Sequence, residues 1–221
     1  LKRRGIDRLD LRPVRPDSTV LTNLVDIIKK RGGEVLCQPE DVSFEMDLPV
    51  TWEAYLESLT TKQRHEVRRK LRRLLEAGKI DYRCLKTGEG LAGFMDTFLK
   101  LFVISRADKA DFMTPRMESF FRSMAEAMAQ ISLLRAGVLE LDTRPVAMIL
   151  GFDYNDVIYL YNSAFDPQYE ALSVGLLSKV LCIKASIEEG KKRFDFLKGN
   201  EVYKHHLGGQ EVPICGCQIT I

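Results

Sequence analysis

The sequence predicts an α/β (α+β) protein in which a central sheet is flanked by helices. Three apolar runs follow one another with short polar turns between them, as in a β-meander: ISLLRAGVLELD, PVAMILGFDY and VIYLYNSAFD. Other segments place apolar residues at helical spacing, which is typical of amphipathic helices that cover a sheet. The meander strands are apolar almost throughout, so we expect a sheet that is covered on both faces.

Composition limits the class of protein. The chain has 221 residues, of which 45% are hydrophobic and 29% charged, and its formal net charge is +2. This length suits one large domain, or one domain plus part of another. No run approaches the ~18–20 apolar residues that span a membrane, and the start has no apolar signal core, so we expect a cytoplasmic protein. Any nucleic-acid contact must come from a local basic patch.

Residues 1–49 predict a β-α-β-β fragment. Pro13 and Pro16 end the strand IDRLDLRPV; Ser18 caps the helix VLTNLVDIIKKRG, which Gly32–Gly33 end. EVLCQ and VSFEMDLP follow as two strands. This fragment lacks a complete core, and the chain starts without Met, so we interpret residues 1–49 as the end of a first domain in a longer protein, or as the docking piece of that domain.

The segment TTKQRHEVRRKLRRLLEAGK predicts a helix that begins at Thr60 or Thr61 and ends at Gly78. An apolar stripe is formed by Val67, Leu71, Leu74 and Leu75. The cations of this helix outnumber the single acid Glu66 between residues 62 and 73: Lys62, Arg64, Arg68, Arg69, Lys70, Arg72 and Arg73. They form either a solvated face or a surface for phosphates, RNA or an anionic membrane. Sequence-specific DNA binding is disfavoured, because no second helix–turn unit with recognition spacing follows.

Most of the remaining segments are predicted to contribute apolar side chains to the hydrophobic core. Thr51 caps the helix TWEAYLESL, in which Trp52 is interpreted as a packing anchor. IDYRCLKT predicts a strand; GLAGFMDTFLKLFVISRADK and MESFFRSMAEAMAQ predict amphipathic helices joined by a loop that leads to Pro115. The meander turns are expected around residues 143–145 and 155–156. Tyr159 and Tyr161 share one face of the last meander strand.

A helix start follows the meander. Asp166–Pro167 break the strand, Ser173 caps the helix VGLLSKVLCIKASIEEG, and Gly190 ends it. Free N–H groups and the positive end of the helix dipole suit a phosphate there. Gly175 would let such a group approach the backbone. An ordinary capped helix remains the alternative.

The next strand, KKRFDFLKGN, places Phe194 and Phe196 on one face and Asp195 on the other. Asp195 is either a buried partner for a cation or a pocket residue. The polar segment EVYKHHLGG follows, and we expect both His205 and His206 at the surface.

Five cysteines occur: Cys37, Cys84, Cys182, Cys215 and Cys217. An odd, scattered set does not predict a disulfide framework. Cys215 and Cys217 would share a face of the last strand, EVPICGCQITI. His205 and His206 are the nearest further zinc ligands, but the spacing matches no common zinc pattern. We therefore expect buried thiols and no metal.

Residues 50–221 resemble the CelD-like acetyltransferase domain of the GNAT fold, a relative of the Fem-type aminoacyl transferases. The resemblance rests on LELDTRPVAMILGF, YLYNSAFDPQYEALSVGLL and IEEGKKRFDFLKGNEVYKHHLGG, and upstream on SLTTKQRHEVRRKLRRLLEAG. It implies a mixed, mostly antiparallel sheet, and for residues 1–49 the end of the first lobe of a double-GNAT protein.

The resemblance also implies a site. Ser173, Val174, Gly175 and Leu176 correspond to the helix start that binds the acyl-CoA pyrophosphate. Tyr203 and Lys204 correspond to the aromatic–lysine pair of Fem-type enzymes, and the Lys204 ammonium could stabilise phosphate or a developing oxyanion. The groups that could move protons or position substrate are the carboxylates Asp166, Glu170 and Asp195 and the phenols Tyr161, Tyr169 and Tyr203. No strong general base emerges.

The implied function is transfer of an acyl group from acyl-CoA, such as acetyl-CoA, to a small-molecule or sugar amine, in polysaccharide or cell-envelope biosynthesis. Two alternatives stay open. A Fem-like enzyme would take its acyl group from aminoacyl-tRNA. A non-catalytic binding or regulatory domain would keep the fold alone, since the GNAT glycine signature is incomplete, with Gly175 as its one obvious member.

Overall fold

The computed structural model describes residues 7–220. Residues 1–6, which hold the basic start of the chain, and residue 221 lie outside the described part, as does the side chain of Val20. The strands are β1 (Arg8–Val14), β2 (Glu34–Asp47), β3 (Ile80–Leu85), β4 (Leu134–Leu141), β5 (Arg144–Tyr154), β6 (Val157–Phe165), β7 (Arg193–Lys198) and β8 (Gln210–Thr220).

Helices alternate with these strands. They are α1 (Val25–Lys30), α2 (Trp52–Ser58), α3 (Thr61–Ala77), α4 (Leu91–Ser105), α5 (Ala107–Phe112), α6 (Pro115–Gln130), α7 (Val174–Glu188) and α8 (Val202–His206). A π-helical turn, Val20–Leu24, precedes α1, and a 3₁₀ segment, Pro167–Leu172, precedes α7.

Across residues 7–220, eight strands form one sheet in the order β1-β8-β2-β7-β6-β5-β4-β3. Neighbouring strands are antiparallel except β6 and β7, which are parallel. This arrangement confirms the predicted mixed, mostly antiparallel sheet flanked by helices. β4 and β5 are buried along most of their length, as their apolar runs predict.

Each face of the sheet carries its own core. On one face α2, α3 and α7 pack through residues such as Leu56, Leu74 and Ile183. On the other face α4 and α6 pack through residues such as Phe98 and Phe121. The stripe predicted for α3 is right for Val67 and Leu74, which are buried, but wrong for Leu75, which is 58% exposed.

Caps and turns follow local chemistry closely. Thr60 begins α3 through a capping box with Gln63. The turn at Asn155 and Asp156 is confirmed, with φ values of 51° and 61°. The turn between β4 and β5 lies at residues 142–143, slightly before the predicted position, because Asp142 accepts the amide of Lys79 and tolerates a positive φ of 49°.

Two predicted elements are wrong in extent. EVLCQ and VSFEMDLP form the single strand β2, because a register shift between Pro39 and Asp41 lets the strand accept a proline. The helix predicted over residues 90–109 ends at Ser105, because Arg106 is extended (φ −162°, ψ 142°), and α5 begins after it.

Residues 8–47 are part of the same sheet as the rest of the chain, because β2 lies between β8 and β7. The assignment of residues 1–49 to a first lobe, separate from 50–221, stays a prediction.

The cysteine prediction needs one correction. Cys37 and Cys217 form a disulfide across the paired strands β2 and β8. Cys84, Cys182 and Cys215 are free. Strand register brings the two cysteines together over a separation of 180 residues, a distance at which the sequence offers no local signal.

Candidate active site at the divergence of two parallel strands

The sheet opens between β6 and β7. Their pairing runs from Val157–Arg193 to Tyr159–Asp195 and then stops. β6 nevertheless continues along β5 to Phe165, and β7 continues along β2 to Lys198. We call the space between the two strands beyond this point the strand gap. The chain leaves β6 through the 3₁₀ segment into α7, and it leaves β7 through a short loop into α8.

The first turn of α7 is closely packed. Ser173 occupies the N-cap position with φ 57°, but its side chain makes no capping hydrogen bond. A Cβ on Gly175 would lie 2.9 Å from Cδ1 of Phe165, so the glycine allows the Phe165 ring to pack against the helix. Val174 is fully buried. Of the four residues predicted to cradle a phosphate, Leu176 faces a cavity.

That cavity has a volume of about 380 Å³ and lies between α3, the start of α7 and α8. We call it the α3–α7 cavity. It is lined by Thr60, Lys62, Gln63, Glu66, Val67, Lys70, Leu176, His206 and Leu207. The fold therefore brings part of the basic helix to the predicted phosphate position. The sequence contains both features but not their proximity.

Lys204 is a structural residue in this arrangement. Its side chain is 2% exposed. Its Nζ donates to the carbonyl oxygens of Leu197, Lys198 and Gly199 at 2.8–3.0 Å and forms an ion pair with Glu201 at 2.9 Å. An ammonium has three protons, and all three are directed at the loop between β7 and α8. None is left for a phosphate or an oxyanion.

The other predicted catalytic residues are not gathered at one point. Tyr203 packs on the α7 face against Phe196, with ring centroids 6.3 Å apart. Asp195 points to the opposite face from Phe194, where the amide of Leu197 donates to it at 2.7 Å. Tyr161 packs beneath α6, with its ring 5.7 Å from Phe121.

Burial is the largest cause of the pKa shifts of Asp195, Tyr203 and Tyr161. It raises the pKa of Asp195, against the opposing effect of the Leu197 amide. It likewise raises the pKa values of Tyr203 and Tyr161. His205 and His206 are exposed, as expected.

Two lysines were missed by sequence reasoning, and one of them, Lys109, bonds β6 beyond the point where its pairing with β7 stops. Lys179 of α7 is 7% exposed, and its Nζ donates to the carbonyl oxygen of Gly175 at 2.7 Å. Lys109 of α5 donates to the carbonyl oxygen of Ser163 on β6. The available signal was the position of Lys179 within VGLLSKVLCI, since a helix that is apolar on nearly every side is buried.

Both lysines have pKa values below the ordinary range. Burial, helped by the charge of Lys109, lowers the pKa of Lys179 to about 7. Burial and the charge of Arg106 lower the pKa of Lys109 to about 8, although Asp108 opposes the shift. An amine with such a pKa exchanges protons readily near neutral pH.

The described residues contain neither a candidate metal centre nor a candidate membrane span. Between residues 7 and 220, no three His, Cys, Asp or Glu side chains are grouped as metal ligands. No helix in the same range combines the length and the apolar character that a membrane span needs.

Comparison with known proteins identifies the class. Residues 61–205 match the family model described as acetyltransferase (GNAT) domain. The chain therefore belongs to the GNAT acetyltransferase domain family, and this membership supports a transferase. The search of curated proteins found no match.

Solved structures share the fold. FemX is similar over 98% of this chain and 73% of its own, at 12% identity and a TM-score of 0.69. A conserved protein of unknown function from Bacteroides thetaiotaomicron is similar over 100% and 72%, at 13% identity and a TM-score of 0.68. The C-terminal domain of a candidate lysylphosphatidylglycerol synthetase from Agrobacterium fabrum is similar over 98% and 68%, at 12% identity and a TM-score of 0.66.

We predict that Lys204→Met destabilises the fold by about 2–5 kcal/mol, because it leaves buried carbonyl groups and Glu201 without their partner. Urea unfolding measures the loss. Lys198→Met is the matched control, since its ion pair with Asp41 is 59% exposed on the lysine side and should contribute under about 1 kcal/mol. Equal stability of the two variants would contradict the structural role.

We also predict that Lys179→Met stabilises the fold, and more at pH 7 than at pH 10. The folded state lowers the Lys179 pKa from 10.5 to about 7, so folding excludes the charged form. This penalty is absent above pH 10.5 and grows as pH falls toward 7, by about 1.4 kcal/mol for each pH unit. Urea unfolding at both pH values tests it, and an equal gain at both would refute the buried neutral amine.

Proposed function

We propose that this protein transfers an acyl group from acyl-CoA, such as acetyl-CoA, to the amine of a small molecule or sugar. The observation that carries the proposal is the α3–α7 cavity, where Lys62, Lys70 and His206 surround the start of α7 at Leu176. Membership of the GNAT family supports the reaction class.

The cavity suits the charged end of a nucleotide-type donor. Its volume of about 380 Å³ lies in the range of small-molecule sites. Lys62 is exposed and Lys70 is half-buried, and the start of α7 adds the positive end of a helix dipole. Glu66 is the one carboxylate in the lining, and it is paired with Arg69 and Lys70.

The strand gap suits the other end of the donor. A slender acyl chain that extends from the α3–α7 cavity along α7 would place its carbonyl carbon between β6 and β7. Backbone groups of β6 beyond Tyr159 lack a β7 partner and can bond a carbonyl there. The acceptor amine then attacks directly, so no covalent enzyme intermediate is required. A cytoplasmic place in polysaccharide or envelope synthesis belongs to the same proposal.

Aminoacyl-tRNA is the second candidate donor. The observation that favours it is the outer side of α3, where Arg68 and Arg73 are exposed and form no ion pair with another described residue. Such a surface suits a phosphate backbone, whose binding weakens steeply with salt. The resemblance to Fem-type transferases implies this donor.

We predict that acetyl-CoA or a longer acyl-CoA raises the melting temperature of the protein. A concentration 100 times the Kd adds about 2.7 kcal/mol. Lys62→Met with Lys70→Met should weaken this binding roughly 10- to 100-fold, because charge-assisted bonds to phosphate are lost. Arg68→Met with Arg73→Met is the charge-matched control and should leave it nearly unchanged.

The reverse pattern would identify the other donor. If no acyl-CoA shifts the wild-type protein, and aminoacyl-tRNA binds with strong salt dependence that the Arg68→Met, Arg73→Met variant loses, the CoA proposal fails. If neither donor binds, the transferase proposal itself is wrong for this chain.

A further inference from the structure

Lys179 is buried, and the described part of the chain places no opposite charge in an ion pair with it. Lysine is almost never fully buried unless it is paired, yet this side chain is 7% exposed in the middle of α7. Among residues 7–220 no carboxylate forms an ion pair with it. Its contacts are the carbonyl oxygen of Gly175 at 2.7 Å and the ring of Tyr203, whose centroid lies 4.9 Å from Nζ.

The surroundings of Lys179 favour its neutral form. Lys109 approaches the strand gap from α5, donates to Ser163 of β6, and lies over the Phe102 ring at 4.4 Å. Glu201, just before α8, is the acid whose charge acts on Lys179, and it forms an ion pair with Lys204. Burial therefore acts together with a like charge, and both lower the proton affinity of the Lys179 amine.

Of the three carboxylates that could have served as a base, two accept backbone amides and the third is exposed. Asp166 accepts the amide of Gln168 at 2.9 Å. Asp195 accepts the amide of Leu197 and points away from α7. Glu170 is exposed in the 3₁₀ segment before the helix. An acyl transfer to an amine needs a proton acceptor, because an ammonium has no free electron pair.

We propose that Lys179 is the general base of this protein and accepts the proton of the acceptor ammonium in the strand gap. Lys109 is a positioning residue that keeps the Lys179 amine neutral. This inference rests on the proposed acyl transfer. It adds the group that deprotonates the acceptor ammonium and so turns it into a nucleophile. It commits the acceptor to a primary or secondary amine that enters as an ammonium.

The step balances without any further reactant. The Lys179 amine takes one proton from the acceptor ammonium, and the freed nitrogen forms a bond to the acyl carbon. The bond from that carbon to the donor sulfur or oxygen then breaks with its electron pair. The second proton of the nitrogen passes to the leaving group, and Lys179 releases its proton to solvent. The products are an amide, the free thiol or alcohol, and one proton.

The pKa of Lys179 is set by groups on each of the elements that pack around it. Burial lowers its pKa most, and the charge of Lys109 lowers it further, whereas Cys182 on the same helix and Glu201 before α8 raise it. Tyr203 faces the amine with a phenol whose pKa burial raises, so that group stays neutral near pH 7. The resulting pKa of about 7 is close to the optimum for a base at neutral pH.

The first experiment titrates Lys179 directly, by 13C and 15N NMR of labelled lysine side chains in the whole chain. Lys179→Met assigns the signal by its disappearance. We expect a midpoint near 7, and a higher midpoint in Lys109→Met because a like charge is removed. A midpoint near 10 would overturn the inference, whatever the activity.

The second experiment measures turnover against pH with the donor that the protein binds and a panel of primary amines. We expect kcat/KM to fall on the acid side with a midpoint near 7. Lys179→Met should lower kcat roughly 10²- to 10⁴-fold with donor affinity unchanged. Lys179→Arg should be equally inactive, because a guanidinium keeps the charge but cannot accept a proton.

Lys184→Met is the control on the same helix, since Lys184 is partly exposed and paired with Glu188 at 3.6 Å. It should leave the profile unchanged. Full turnover in Lys179→Met, or substantial rescue by arginine, would refute the base while the proposed function stands. A wild-type protein that binds no acyl donor would instead refute the proposed function, and the inference with it.

Discussion

The interruption of pairing between two adjacent strands underlies the candidate site. β6 and β7 share a parallel ladder for residues 157–159 and 193–195 and are then each held by their outer neighbour. A parallel pair needs a crossover connection, and here that connection is α7, which starts beside the opening. The strand gap and the helix start beside it therefore both follow from the parallel connection of β6 to β7 through α7. The buried amine of Lys179 lies on that same helix.

The lysines of the site fall into three environments with different chemistry. Lys62 lines the α3–α7 cavity and is exposed. Lys204 is buried and all its ammonium protons are hydrogen-bonded, so its charge stabilises the loop between β7 and α8. Lys179 is buried and, among residues 7–220, has one carbonyl partner and no acid, so its charged form is costly. A single residue type thus occupies three environments: the wall of a cavity, a hydrogen-bonded loop and the buried side of a helix.

Stability and reactivity are in opposition at Lys179. A methionine of similar length would fill the same space without a desolvation penalty. Retaining an amine there costs free energy that the fold must recover elsewhere, in the two cores that cover the sheet. Such an uncompensated cost is common at sites where a group must change its charge during function.

Much of the fold was predictable because its signals are local. The capping box at Thr60, the turn at Asn155 and the apolar meander each depend on residues within a few positions of one another. The continuous strand β2 was not predicted, because Pro39 normally ends a strand and the compensating register shift depends on β8. The Cys37–Cys217 disulfide was hidden for the same reason.

The sequence by itself determined the family, the apolar meander and the position of the helix start at Ser173. Tertiary structure alone decided what the charged side chains do there. Lys204 and Lys179 look alike in a sequence, and the resemblance favoured Lys204. Three carbonyl groups surround one amine and a single carbonyl contacts the other. Solvation and partner count set the charge of a buried group, and both are properties of packing between distant segments.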